Sequence, residues 1–513
     1  MVRFILRARC FLPLDIGVRS GEKGPRLTAI GSSFYAEWRV RAGVVPLLRE
    51  DTDSPPERLL QAIWLHQRLL RDRLLSRAGE PVRVLHPGFQ SLEGGPDFRD
   101  ALIQIGDSPA RRGDIEVDVR PSGWRAHGHD RNPAFVGVIL HVTWEGDEAP
   151  AGCPPGLTLR GLLDAPLGEL SLWLGNEGGP GFPPSLRGRC HAPLQTLAAE
   201  KRDELLRQAA LVRLASKAGW FQARARQAGW EQALWEGLFR ALGYKHNAWP
   251  MQRLAELRPR WAAEVGTLGV QARLLGLSGL LPPELTRALP VADGYVRQVW
   301  DAWWRERDQF ADCVLPREAW RLHGIRPANH PQRRLALASH WVREQKLPAR
   351  LQAWCTTAGS PAAVAEGLLE CLRTGADDFW SWHWTLKSRR LASPATLLGP
   401  MRAGDLAMNV VIPWLWARAA EGGNAPLRSG LEARYFSWPA GEDNSLLRLA
   451  RERLLGGGSR RTLATAAAQQ GLTQLVRDFC EHSNAVCDEC RLPAMIAEWR
   501  TTGVSLPAAA APG

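Results

Sequence analysis

Acidic, histidine and tryptophan residues crowd the stretch from Gly94 to His141. They run as Gly94-Gly95-Pro96-Asp97-Phe98, then Gly113-Asp114-Ile115-Glu116-Val117-Asp118, then Trp124, His127 and His129. Carboxylates brought this close repel one another, and either a cation or a raised pKa has to relieve the repulsion, which is why such clusters tend to be sites. His127 and His129, two apart, add groups suited to general base, phosphate donor or metal ligand if the backbone is extended, and to a plain polar loop otherwise. His141 sits inside an apolar run and reads as a core histidine hydrogen-bonded to its neighbours.

Positioning these groups falls to short strands. Ala101-Leu102-Ile103-Gln104-Ile105 and Ile115-Glu116-Val117-Asp118-Val119 are β-type runs with polar residues at alternate positions, separated by the turn formers Gly106, Asp107, Ser108, Pro109 and Gly113. The pattern predicts a hairpin. Residues two apart share a strand face, so Glu116, Asp118 and Arg120 project together, with Asp97 beside them at the start of the neighbouring strand. Ahead of the hairpin, Pro55-Pro56-Glu57 opens a helix with Leu59, Leu60, Ile63, Trp64, Leu69 and Leu70 on one face. Val82-Arg83-Val84-Leu85 and the apolar run from Phe135 to Val142 supply further strands, the latter expected to be central and buried.

The 513 residues are too many for one core and imply several compact units. The expected division is a poorly ordered extension over 1–35, an α/β domain over 36–165, a Gly- and Pro-rich linker over 166–195, a helical region over 196–478, a cysteine knuckle over 479–493 and a flexible tail over 494–513. Hydrophobic residues at 45% and charged residues at 23% describe a globular chain, and no stretch reaches the apolar length of a membrane span. The start of the chain shows no cleavable leader, so a cytoplasmic location is expected. A formal charge of +12, carried largely by arginine, favours polyanionic partners, although arginine-rich composition also follows from genomic base composition. The 23 tryptophans suit packing or stacking equally.

Cys480, Cys487 and Cys490 form C-x6-C-x2-C, a chelating spacing for Zn2+ or an iron–sulfur cluster. Three thiolates leave a tetrahedral site one donor short, and either His482 or the distant Cys190 is a candidate for the fourth.

An acid on a helix, an Asp on one strand and Glu-x-(acid or Lys) on the next make this sequence resemble the PD-(D/E)XK nuclease superfamily, with Glu57, Pro96-Asp97 and Glu116-Val117-Asp118 at the matching positions. The resemblance implies a restriction-endonuclease-like mixed sheet and a phosphodiesterase using Mg2+ or Mn2+. In it Asp97 and Glu116 ligate the metal, Asp118 assists as ligand or base, and Glu57 holds a metal-bound water. Position 118 carries Asp where that superfamily carries Lys, so His127, His129, Arg99 or Arg120 must orient the water and contact phosphate. The wider set Glu57-x-x-Leu60-x-x-Ile63-Trp64, Gly95-Pro96-Asp97-Phe98, Trp124-x-x-His127-x-His129, Arg326-Pro327-Ala328-Asn329-His330-Pro331 and Asn409-Val410-Val411-Ile412-Pro413 looks like the bacterial family known as domain of unknown function 2851, over about residues 35–495. That family's pattern has His at position 118, and it implies no activity of its own. The expectation is therefore an α/β nuclease-like domain followed by helices, acting on nucleic acid; a non-catalytic nucleic-acid-binding or assembly scaffold with a degenerate site is the alternative.

Overall fold

The computed structural model describes residues 33–42, 54–91, 95–146, 151–167, 170, 190–244, 246–262, 265–285, 293–322, 325–344, 346–442, 445–455, 463–480 and 490–502. Ser33 caps α1 (Phe34–Arg41) by accepting from the Ala36 amide. Pro56 precedes α2 (Glu57–Leu65), whose buried stripe is Leu59, Leu60, Ile63 and Trp64, the helical period expected of that segment. The helix stops at Leu65, so Leu69 lies beyond it and bridges instead to Leu163.

Six strands, β1 (Val82–His86), β2 (Phe89–Gln90), β3 (Phe98–Ile105), β4 (Arg111–Asp118), β5 (Val138–Thr143) and β6 (Gly156–Thr158), form one curled mixed sheet. Its order is β1-β3-β4-β5-β6, with β2 attached to β3. β1/β3 and β3/β4 are antiparallel, the latter being the expected hairpin; β4/β5 and β5/β6 are parallel. The strand expected from Phe135 begins only at Val138, because Pro133–Phe135 is a single 3-10 turn and Val136 is exposed.

Alternation sorts β4 and β5 cleanly. Ile115, Val117, Leu140 and Val142 enter the core that α2 covers, while Glu116, Asp118 and His141 belong to the opposite face. Parallel strands cannot be joined by a tight turn. The chain from β4 to β5 therefore travels over that polar face, through α3 (Gly123–Ala126) and two short 3-10 turns, and brings Trp124, His127 and His129 with it.

From Ala199 the fold is mostly helical. The helix Ala199–Ala228 packs on Ala466–Phe479 and Ile412–Glu421. Trp235, Trp261, Trp341, Trp380, Trp414 and Trp416 are fully buried in one apolar cluster there, so these tryptophans serve packing. Arg71 pairs with Glu256, and the Trp249 indole donates to the Leu85 carbonyl at 3.2 Å, docking this region on the sheet.

The segment expected as a tail from residue 494 is helical up to Thr501: Leu492–Thr501 buries Leu492, Met495, Ile496 and Trp499. Those residues recur at helical spacing, and α1 closes over them, with Phe34 and Trp499 ring centroids 4.8 Å apart and the Trp38 indole donating to Glu498 at 3.1 Å. α1 thus packs with the C-terminal helices rather than with the sheet. Most of the extension expected over 1–35 and most of the expected linker lie outside the described residues. No helix among the described residues is long and apolar enough to cross a membrane.

Candidate functional site

Asp97 and Glu116 interlock through backbone. Register places Phe98 opposite Ile115, so Asp97, one residue earlier, meets Glu116. The Asp97 amide donates to Glu116 Oε2 at 3.1 Å, and Asp97 Oδ2 accepts from the Val117 amide at 3.0 Å. The second Asp97 oxygen accepts from Gln61 Nε2 at 2.8 Å, and the same amide reaches Glu57 Oε1 at 3.2 Å. Gln61 therefore ties α2 to the strands. Burial raises the pKa of Asp97 and of Glu116 well above the ordinary carboxylate range; Glu57 adds to the effect on Asp97, and Asp97 to that on Glu116. Glu57 itself is raised by burial and then by the charge of Asp118.

Asp118 lies deeper, 1% exposed. His141 Nε2 stands 2.9 Å from its Oδ2 and His127 Nδ1 stands 3.1 Å from its Oδ1. His129 Nδ1 is 3.4 Å from Glu116 Oε1. The His129 ring is stacked on Phe135 at 4.0 Å and meets Trp124 edge-on at 5.5 Å. Burial lowers the His129 pKa, which favours the neutral imidazole, the form that binds metals. Among the described residues the buried nitrogens His129 Nδ1, His141 Nδ1 and Trp124 Nε1 have no hydrogen-bond partner.

One ligand atom from each of Asp118, His127 and His129 lies within 4.8 Å of the other two. One carboxylate and two imidazoles spaced this way fit a divalent ion. The sequence expectation put the metal on Asp97 and Glu116, and in the structure both Asp97 oxygens accept hydrogen bonds, from Gln61 and Val117. Asp97 and Glu116 stand alongside this candidate metal-binding group, Glu116 through its contact with His129.

Six residues expected in the site thus come together: Glu57, Asp97, Glu116, Asp118, His127 and His129. The two expected phosphate contacts do not join them in the same way. Arg120 is held by Glu145 at 2.8 Å on an exposed edge, and Arg99 sits across from Phe89 on β3 with its guanidinium beside Gly95. Sequence reasoning missed Gln61, although its position four residues after Glu57 on the same helix face was a usable signal. It also treated His141 only as core, which it is, without its bond to Asp118.

At the other end of the chain, Cys480 is buried and Cys490 half-buried, while Cys487 lies outside the described residues.

No curated protein and no solved structure matches the chain significantly. A family model matches residues 57–439, which span the whole sheet, the site and most of the helical region: the chain belongs to the family described as protein of unknown function (DUF2851).

Proposed function

We propose that the protein is a divalent-metal-dependent phosphodiesterase, nuclease-like in its sheet domain, acting on nucleic acid. The observation that carries this reading is the convergence of Asp118, His127 and His129 beside half-buried Asp97 and buried Glu116. The hairpin β3–β4, the parallel pair β4–β5 and a preceding helix that delivers Glu57 support a restriction-endonuclease-like arrangement. The formal charge of +12 supports a polyanionic substrate.

Asp118, His127 and His129 would hold the ion, and their two nitrogens suit Mn2+ better than Mg2+. When bound, such an ion lowers the pKa of a water and offsets charge on a phosphoryl group. The chain's own residues do the rest. His141 fixes the Asp118 carboxylate in one orientation, and Gln61 fixes Asp97 relative to Glu57. His127, with its side chain 52% exposed, would also be open to a phosphate oxygen arriving from solvent. Phe135 and Trp124 wall His129 away from bulk water.

The test is incubation of the full chain with single- and double-stranded DNA and RNA, with Mn2+ or Mg2+ and with chelator. Metal-dependent cleavage of a phosphodiester substrate, lost in Asp118→Asn and His129→Ala, is expected. Cleavage that persists in both variants, or no cleavage by the wild type, overturns it. A second reading, a nucleic-acid-binding or assembly protein without turnover, draws on Asp118 standing where the nuclease superfamily carries lysine; salt-dependent binding without cleavage selects it.

A further inference from the structure

Two tryptophans of the helical region do not serve its core. Trp382 and Trp384 are half-buried and stand outside the apolar cluster that holds Trp380. They belong to the connection from Arg373 to Gly399, which is neither helix nor strand and joins the helices Pro361–Leu372 and Pro400–Leu406. Irregular connections of this length are uncommon in compact folds, and those that are well fixed tend to carry function. This one is fixed from beneath. Arg333, 1% exposed on the helix Pro331–Glu344, donates to the carbonyls of Trp380, His383, Ala395 and Thr396. Gln332 accepts from the Leu386 amide at 3.1 Å, and Ser388 Oγ closes a turn by accepting from the Trp384 and Thr385 amides at 2.9 and 3.1 Å.

That turn carries the cations Lys387, Arg389 and Arg390, all three exposed. No acidic residue occurs between Asp378 and Asp405. Elsewhere on the surface carboxylates offset the arginines, as Glu145 does for Arg120 and Arg160 and Asp312 for Arg260. Among the described residues no carboxylate pairs with Lys387, Arg389 or Arg390. The Arg390 guanidinium lies over the Trp382 ring, 4.1 Å from its centroid, and that of Arg333 lies 4.6 Å from the Trp384 centroid. Each indole is thus backed by an arginine, which places stacking surface and uncompensated positive charge together.

We infer that this loop is a binding platform for single-stranded nucleic acid, with unpaired bases stacking on Trp382 and Trp384 and phosphates meeting Lys387, Arg389 and Arg390. The inference rests on the reading of the chain as one that acts on nucleic acid, and it adds strand preference and a second contact surface to that reading. A duplex keeps its base faces stacked inside and offers a protein only groove edges and phosphates. A single strand presents a π-face at every nucleotide, with a phosphate at the same interval, and so uses both halves of the loop. Because Arg333 already holds the backbone, little ordering entropy is lost on binding.

The test measures fluorescence anisotropy of labelled DNA and RNA oligonucleotides of about a dozen nucleotides with the full chain in chelator, which separates binding from metal-dependent cleavage. The single strand should bind more tightly than a duplex of the same length, and Trp382→Leu should weaken it by about fivefold or more. Replacing Lys387, Arg389 and Arg390 together by Gln should lower the slope of log affinity against log salt by about 2, whereas Arg260→Gln, which removes a paired cation, should bind like wild type. Duplex bound as tightly as single strand overturns the platform, as does wild-type affinity in the loop variants. So does a charge variant that weakens binding while Trp382→Leu does not, since the surface is then electrostatic alone; loop-dependent binding to phosphatidylserine vesicles without binding to nucleic acid assigns it to a membrane instead. Should Trp382→Leu be insoluble, the single-strand preference and the triple variant, whose changes are all exposed, decide by the same criteria. Loop-dependent binding without cleavage supports the platform and overturns the phosphodiesterase reading only; cleavage with unaltered binding in the loop variants does the reverse.

Discussion

His141 Nε2 lies 2.9 Å from Asp118 Oδ2, on a strand directly bonded to the one that carries Asp118, and the two side chains are 0% and 2% exposed. A carboxylate held this way has its orientation set before any ligand arrives, and such outer partners commonly affect metal affinity by about 10–100-fold. His141→Gln should therefore weaken Mn2+ binding by roughly that factor, measured by calorimetric titration. The urea midpoint should fall less than for a variant that empties the site of packing, such as Trp124→Ala. Unchanged Mn2+ affinity in His141→Gln would show that the pair serves the core alone.

Mixed oxygen and nitrogen donors discriminate between ions. With Asp118, His127 and His129 gathered within 4.8 Å, Mn2+ should raise the melting temperature at lower concentration than Mg2+ does. His127→Ala should narrow the difference, because it removes a nitrogen donor and leaves the oxygens. Equal stabilisation by both ions, or stronger stabilisation by Mg2+, would favour an all-carboxylate ligand set built on Asp97 and Glu116.

How much of this was legible follows from which interactions are local. The hairpin, the helix at Glu57 and the shared face of Glu116 and Asp118 are set by periodicity and turn residues, so the sequence exposes them. The meeting of Asp97 with Glu116 was also accessible, since a hairpin fixes register. What stayed hidden depends on the path of the β4–β5 connection. Nothing in Trp124-Arg125-Ala126-His127-Gly128-His129 announces that it folds back over Asp118, because the route is decided by Trp124 and Phe135 packing with Val138. The helix Leu492–Thr501 was overlooked for the opposite reason: its apolar stripe was present, but its partner, α1, lies at the other end of the chain.

Acid should destabilise the protein through His86. Its ring is 2% exposed, Nδ1 accepts from the Gly88 amide at 3.0 Å, and burial lowers its pKa to about 4. Because the folded value lies below the unfolded one, the unfolded chain takes up the proton first. The neutral ring's contribution is intact above about pH 6.5 and is lost as pH falls from there towards about 4, with a slope of up to about 1.4 kcal/mol per pH unit. His330, also lowered to about 4 by burial, adds to the loss. Urea melts at pH 7 and pH 5 should show a smaller difference for His86→Gln than for the wild type; parallel losses would assign acid sensitivity to other groups.

Arg68 and Asp164 form a pair with side chains 1% and 2% exposed, at 2.7 Å, joining the end of α2 to the chain that follows β6. Removing one partner leaves an uncompensated buried charge, so Asp164→Ala should cost about 3–5 kcal/mol in chemical denaturation. The double substitution Arg68→Met with Asp164→Leu should recover much of that, since no charge is then stranded. A double variant as unstable as the single one would mean that the pair's geometry, rather than its charge, holds the sheet domain together.

Gly123 gives the sharpest test of whether Asp118 must sit where it does. A Cβ at this position would stand 2.6 Å from Asp118 Oδ1 and 2.7 Å from its Cγ, closer than van der Waals contact allows. The carboxylate has little room to yield, being 1% exposed with His141 at one oxygen and His127 at the other. In Gly123→Ala the four-residue helix α3 must therefore move instead, and it carries Trp124 and leads into His127 and His129. The backbone effect of Gly→Ala in a helix is itself favourable by up to about 1 kcal/mol, which offsets part of the local strain. The expected result is thus a separation of effects: a melting temperature within a few degrees of wild type, with Mn2+ affinity and any phosphodiesterase activity reduced at least tenfold. Full Mn2+ affinity in Gly123→Ala would show that Asp118 and the two histidines need not keep this spacing, and would remove them as the metal-binding group.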